Sequence, residues 1–122
     1  MDKITVVTGG CGFIGHHLVK RLVDIGKTVV VLDNLSTGRF TDMPEGVTLY
    51  KMDLTVDAFP TLENVDAIYH LAATTSVEES LSNAPKYKAN ILSATKRLLI
   101  WAADINARRI VMASTAAVYG DP

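Results

Sequence analysis

Apolar positions along the chain follow two rhythms. Short, mainly apolar runs at 4–8, 28–32, 47–52, 66–71 and 109–113 read as strands, the first of them β-branched. The run 28–32 is continuously Val-rich, as expected of a strand buried on both faces of a parallel sheet. Between the runs the spacing becomes helical. Over 13–25, Phe13, Ile14, Leu18, Leu22 and Ile25 share one face and Lys20, Arg21 and Asp24 the other, with Gly26 as the stop. The polar stretch 34–46 reads as loop, and 55–62 as a short helical turn limited by Pro60. Two helical stretches follow, 77–82 and 85–105, the second with Pro85 in its first turn and with Leu98, Leu99, Ile100 and Trp101 assigned to the core. Strands alternating with helices predict an α/β fold, a parallel sheet with right-handed crossovers and helices on both faces.

The polar signatures gather where strands end. The first strand runs into Thr8-Gly9-Gly10-Cys11-Gly12-Phe13-Ile14-Gly15, and a helix starts at once. This stretch fits both G-x-G-x-x-G and G-x-x-G-x-x-G. Glycines there permit a tight bend, close approach of backbone to a pyrophosphate, and close packing of helix on strand. The phosphates then sit at the positive end of the helix. Asp33 ends the second strand, 18 residues after Gly15. A carboxylate there accepts hydrogen bonds from adenosine ribose hydroxyls and repels a 2′-phosphate, which favours NAD over NADP. The other reading is a turn cap in the Asp33-Asn34 pair. For Asp53, at the next strand end, an adenine contact and a loop cap weigh equally.

Composition narrows the class. With 122 residues, 48% hydrophobic, 20% charged and a net charge of −1, the chain has an ordinary globular composition and no basic footprint for nucleic acid. No apolar run has the length of a membrane span and no signal-peptide pattern opens the chain, so a cytoplasmic setting is expected. Cys11 is the only cysteine, read as a small residue filling the glycine turn rather than as a reactive thiol. No Cys/His spacing suggests a metal. His70 reads as a packed strand-end residue rather than a general base, and His16 and His17 as residues facing neighbours or solvent.

The glycine turn, Asp33-Asn34-Leu35-Ser36-Thr37-Gly38, Asp53-Leu54, His70-Leu71-Ala72-Ala73, Asn90, and Ser114-Thr115-Ala116-Ala117-Val118-Tyr119-Gly120 occur in that order. Together they resemble the N-terminal part of the extended short-chain dehydrogenase/reductase family, in particular its NAD-dependent nucleotide-sugar epimerases and dehydratases of the UDP-glucose 4-epimerase type. The resemblance covers nearly the whole chain. It implies a Rossmann-type doubly wound sheet of five strands, order 3-2-1-4-5, ending before a sixth strand, with residues 1–122 forming an incomplete NAD-binding domain and no substrate domain. Gly9, Gly12 and Gly15, with Phe13 and Ile14, match the pyrophosphate turn. Asp33 and Asn34 match ribose contacts, and Leu35, Ser36, Thr37 and Gly38 continue that block. Asp53 and Leu54 match adenine contacts, and Leu71, Ala72 and Ala73 the wall beside the cofactor's middle. Thr75 stands where epimerases often carry a Lys that reaches the cofactor. Asn90 matches an Asn of the following helix, with Ser93-Ala94-Thr95 where Gly-Thr usually follows. Thr115 matches the catalytic Ser/Thr that bonds the reacting sugar hydroxyl, with Ser114 and Tyr119 lining the substrate side.

The resemblance implies an enzyme that oxidises and re-reduces a sugar carbon through a keto intermediate. In the family, a Tyr with a Lys four residues later transfers the proton. Here Tyr50, Tyr69 and Tyr87 are followed four places on by Leu54, Ala73 and Ile91, and Tyr119 by no residue. The chain alone is therefore expected to be inactive. A non-catalytic NAD-binding module, and a half-enzyme needing a separate C-terminal partner, stand as alternatives. A homodimer is also left open; no nucleic acid or membrane partner is expected.

Overall fold

The computed structural model describes residues 3–11, 13–35, 43–71 and 84–112, the side chains of 84–91 excepted. The five runs form β1 (Ile4–Thr8), β2 (Thr28–Asp33), β3 (Thr48–Lys51), β4 (Val65–His70) and β5 (Arg109–Met112). Among the described residues the helices are α1 (Phe13–Asp24) and α2 (Ala84–Asp104). The strands make one parallel sheet in the order β3-β2-β1-β4-β5, as expected. Boundaries fall within one or two residues of the sequence reading. The helical turn is displaced: it runs from Asp53 to Asp57, closed by Asp57 N donating to Asp53 O at 2.9 Å. The 77–82 stretch lies outside the described residues.

The sheet divides two apolar clusters, because successive strand residues point to opposite faces. Val6, Val30, Leu32 and Ile68 pack with Leu98, Trp101 and Ala102 of α2. Val7, Val29 and Val31 pack with Cys11 and with Val19 and Leu22 of α1. Helices thus cover both faces, and β2, paired on both sides between β3 and β1, is buried along five of its six residues. β3 and β5 form the edges; Val111 and Met112 of β5 are exposed.

Both helices stop by the same device. Gly26 (φ 88°) follows α1, with Lys27 N donating to Leu22 O and Gly26 N to Val23 O, both at 2.9 Å. Asn106 (φ 55°) follows α2, with Ala107 N donating to Ala102 O and Asn106 N to Ala103 O. Each pair of bonds satisfies carbonyls that a helix end would otherwise leave unpaired.

The helix faces differ from the expectation. The buried stripe of α1 is Gly15, Val19 and Leu22, while Phe13, Ile14 and Ile25 are exposed. Gly15 sets this rotation, since it alone can lie against the turn that precedes the helix. On α2, Leu98 and Trp101 are core as expected, but Leu99 and Ile100 are 43% and 55% exposed. The stripe Leu98, Trp101, Ala102, Ile105 already fills the face toward the sheet, and its two apolar neighbours point away from it.

Candidate functional site

All five strands run the same way, so Thr8, Asp33, Lys51, His70 and Met112 end along one edge. There β1 passes into the glycine turn. Gly9 has φ 74°, a conformation that a side chain disfavours, and its N–H bonds Leu32 O at 2.9 Å. A Cβ on Gly15 would stand 2.1 Å from Gly9 O, so helix and turn touch backbone to backbone. Gly10, which sequence reasoning did not single out among the site residues, is similarly close: a Cβ there would meet Val31 at 2.6 Å. The positive end of α1 opens at Phe13, beside this turn, and the side chains of Phe13 and Ile14 turn outward.

Asp33 ties β2 to the turn. Its Oδ2 accepts from Cys11 N at 2.9 Å and its Oδ1 from Leu35 N at 2.7 Å. The capping reading of Asp33 therefore holds, across 22 residues as well as locally. A carboxylate has about four lone-pair positions, so two backbone bonds leave acceptor capacity for a ligand. Asn34 is exposed beside it. Leu35 takes φ 64°, strain that costs roughly 1–3 kcal/mol and that clusters at ligand-binding turns. Cys11 is fully buried, and burial together with the neighbouring Asp33 carboxylate pushes its thiol up to about 11. It fills space under the turn, beside Val19, Val29 and Val31.

Asp53 heads the turn after β3. Its Oδ1 accepts from Thr55 N at 2.8 Å and Thr55 Oγ1 at 2.6 Å, and these bonds hold its carboxyl below the ordinary value. This is the loop cap, and it leaves Oδ2 without a protein partner among the described residues. The side chain of Leu54 is buried in the α2-side core. Arg97 of α2, unmarked by any sequence signal, bonds the carbonyls of Leu54 and Asp57.

His70 is buried at the end of β4. Its Nδ1 lies 2.7 Å from Thr8 Oγ1, and its Nε2 lies 3.4 Å from Thr95 Oγ1. Thr8 Oγ1 also accepts from Leu71 N at 3.0 Å. Burial holds the imidazole below its ordinary 6.5. These contacts fasten β1, β4 and α2 together, the packing role expected of it. Leu71 leaves β4 partly buried against the α1-side cluster. Asn90 lies on α2. Gly12, Ser36, Thr37, Gly38, Ala72, Ala73, Thr75, Ser114, Thr115 and Tyr119 lie outside the described residues.

Among the described residues, no group of three or more His, Cys, Asp or Glu side chains is placed to hold a metal ion, and no helix is long and apolar enough to cross a membrane. The described part of the edge is a backbone cradle at a helix N-terminus with carboxylates at the ends of β2 and β3, an arrangement that can take an anion flanked by hydroxyl or amino donors.

Comparison with known proteins gives a consistent picture. Residues 5–122 match the NAD dependent epimerase/dehydratase family. A UDP-glucose 4-epimerase of Streptomyces lividans is 38% identical over 122 residues, which are 96% of this chain and 37% of that protein. A UDP-N-acetylglucosamine 4-epimerase from Methanobrevibacter ruminantium, solved with UDP-N-acetylmuramic acid, superposes with a TM-score of 0.86 at 38% identity, over 99% of this chain and 40% of its own. The UDP-glucose 4-epimerase of Thermus thermophilus, solved with NAD, superposes with a TM-score of 0.77 at 31% identity, over 92% of this chain and 37% of its own. The chain thus spans a little over a third of the length of these relatives.

Proposed function

The chain belongs to the NAD dependent epimerase/dehydratase family, and on that premise we propose that it is the NAD-binding portion of a nucleotide-sugar epimerase or dehydratase of the UDP-glucose 4-epimerase type. The observation that carries this reading is the clasp between the glycine turn and Asp33. The helix packs on the turn backbone to backbone at Gly15 and Gly9, where no Cβ fits, and this brings the positive end of α1 against the turn, which suits a pyrophosphate. Gly12, Phe13 and Ile14 would complete it. Asp33 and Asn34 would take the adenosine ribose, with Leu35, Ser36, Thr37 and Gly38 closing the loop beside it. Asp53 would accept the adenine amino group through Oδ2. Leu54, whose side chain is buried, would touch adenine through its backbone. Leu71, Ala72, Ala73, Thr75 and Asn90 would line the middle of the dinucleotide.

When bound, NAD supplies oxidation and re-reduction of a sugar carbon. Thr115 would hold the reacting sugar hydroxyl, with Ser114 and Tyr119 beside it. The proton-accepting Tyr and its Lys are not among these 122 residues. A polypeptide of these residues alone is read as one NAD-binding domain, with the cytoplasm as its proposed setting. Its turnover would need a substrate domain from elsewhere, and a homodimer or a C-terminal partner chain is compatible with that need.

Cofactor choice tests the reading. Asp33 presents negative charge to the ribose edge, so NAD should bind the 122-residue chain more tightly than NADP in calorimetry. Equal or tighter NADP binding would overturn the assignment.

A further inference from the structure

Arg97 reaches from α2 onto a stretch of chain that is neither helix nor strand. Its Nη1 donates to Leu54 O at 2.6 Å and its Nη2 to Asp57 O at 2.7 Å. The guanidinium lies 5.4 Å from the centre of the Phe59 ring. Phe59 stacks on Trp101 at 4.9 Å, and Trp101 Nε1 donates to Pro60 O at 3.0 Å. One face of α2 therefore holds residues 54–60. The two carbonyls that Arg97 takes belong to the turn that Asp53 opens. A cation at the carbonyl end of a helical turn meets partial negative charge and satisfies unpaired acceptors. The opening end is fixed separately, by Thr55 on Asp53 Oδ1 and by Asp57 Oδ2, which accepts from Asp53 N at 2.7 Å. With both ends held, the direction of Asp53 Oδ2 is set.

We propose that Arg97 is a positioning residue for the adenine end of the dinucleotide, holding the 53–57 turn so that Asp53 Oδ2 stands where an exocyclic amino group can donate to it. The proposal rests on the reading of Asp53 as an adenine contact. Adenine offers that amino group. Hypoxanthine carries a carbonyl oxygen in its place, which a carboxylate repels. Preference for NAD over nicotinamide hypoxanthine dinucleotide therefore reports where Asp53 stands, and a general loss of folded protein leaves that ratio unmoved.

The experiment is calorimetry of both dinucleotides with the 122-residue chain, Arg97→Met and Arg97→Lys, with melting temperatures alongside. The parent chain should prefer NAD roughly tenfold or more, the worth of one hydrogen bond to a charged group. Arg97→Met should bring the ratio close to one. Arg97→Lys, which keeps the charge but loses the planar two-nitrogen fork, should give an intermediate ratio. A lowered melting temperature with the parent ratio retained would overturn the proposal. If Arg97→Met does not fold, the Lys variant decides: a ratio below the parent's supports the proposal, and the parent's ratio overturns it. A parent chain that binds NAD without discrimination would instead overturn the adenine reading of Asp53, and the role of Arg97 with it.

Discussion

A methyl group on Gly15 would stand 2.1 Å from Gly9 O, and backbone on both sides leaves no flexible atom to yield. Gly15→Ala should therefore push α1 off the turn and weaken NAD binding ~10-fold or more, although helix propensity alone favours Ala over Gly by about 1 kcal/mol; calorimetry beside a melting curve separates the two. Asp33 holds two backbone donors, Cys11 N and Leu35 N. Asp33→Ala should remove the preference for NAD over NADP and also loosen the turn. Loss of a hydrogen bond to a charged group is worth roughly 1.5–3 kcal/mol, so NAD affinity should fall ~10–100-fold. Cys11 offers a test of burial: with its thiol pushed up to about 11, it should resist iodoacetamide at pH 8 in the native chain and react readily in denaturant. Much of the turn was legible because glycine and aspartate at fixed offsets state a backbone need. The bond from Cys11 N to Asp33 was not, since any residue at 11 supplies that N–H. Arg97 was invisible for the same reason: its partners are carbonyls, which every residue has.

Among the elements, α2 shows where apolar pattern misleads. Leu98 is fully buried, and Leu98→Ala should cost roughly 2–5 kcal/mol in urea unfolding. Ile100, two residues on, is exposed, and Ile100→Ala should stay within about 0.5 kcal/mol. A run of four apolar residues surrounds the helix and does not say which side meets the sheet. α1 misled in the opposite way: its innermost residue is Gly15, which carries no hydrophobic signal. The strands were read correctly because their runs are too short for a helix and are bounded by turn signals. The junction of β1, β4 and α2 at His70 has a pH consequence. The folded imidazole is held below 6.5 by burial, so the unfolded chain takes up its proton first as pH falls. This contribution to stability is full above about 6.5 and is lost progressively as pH drops below that value, until folded His70 titrates in turn. The melting temperature should fall more between pH 7.5 and 5 for the parent chain than for His70→Asn. Parallel slopes would exclude His70 as the source.

As a whole molecule, a polypeptide of these 122 residues has the glycine turn and Asp33 but no Tyr-x-x-x-Lys. Incubated with NAD and UDP-glucose or UDP-galactose, it should yield neither epimer nor bound NADH above background, since a missing general base alone costs roughly 10²–10⁴ in rate. Clear turnover would demand another base. The central place of β1 carries a different consequence, for the order in which the sheet is built. β1 pairs on one side with β2, which follows after a single helix, and on the other with β4, whose His70 lies 62 residues beyond Thr8. At about 5–20 residues per second of synthesis, that partner arrives roughly 3–12 s after Thr8 has been made. Until then one side of β1 has bare N–H and C=O groups. The β1–α1–β2 unit, with its glycine turn already shaped, is thus free to form early, while the His70 junction must close late. A nascent chain should acquire its glycine turn before it acquires the β1–β4 pairing that His70 fastens.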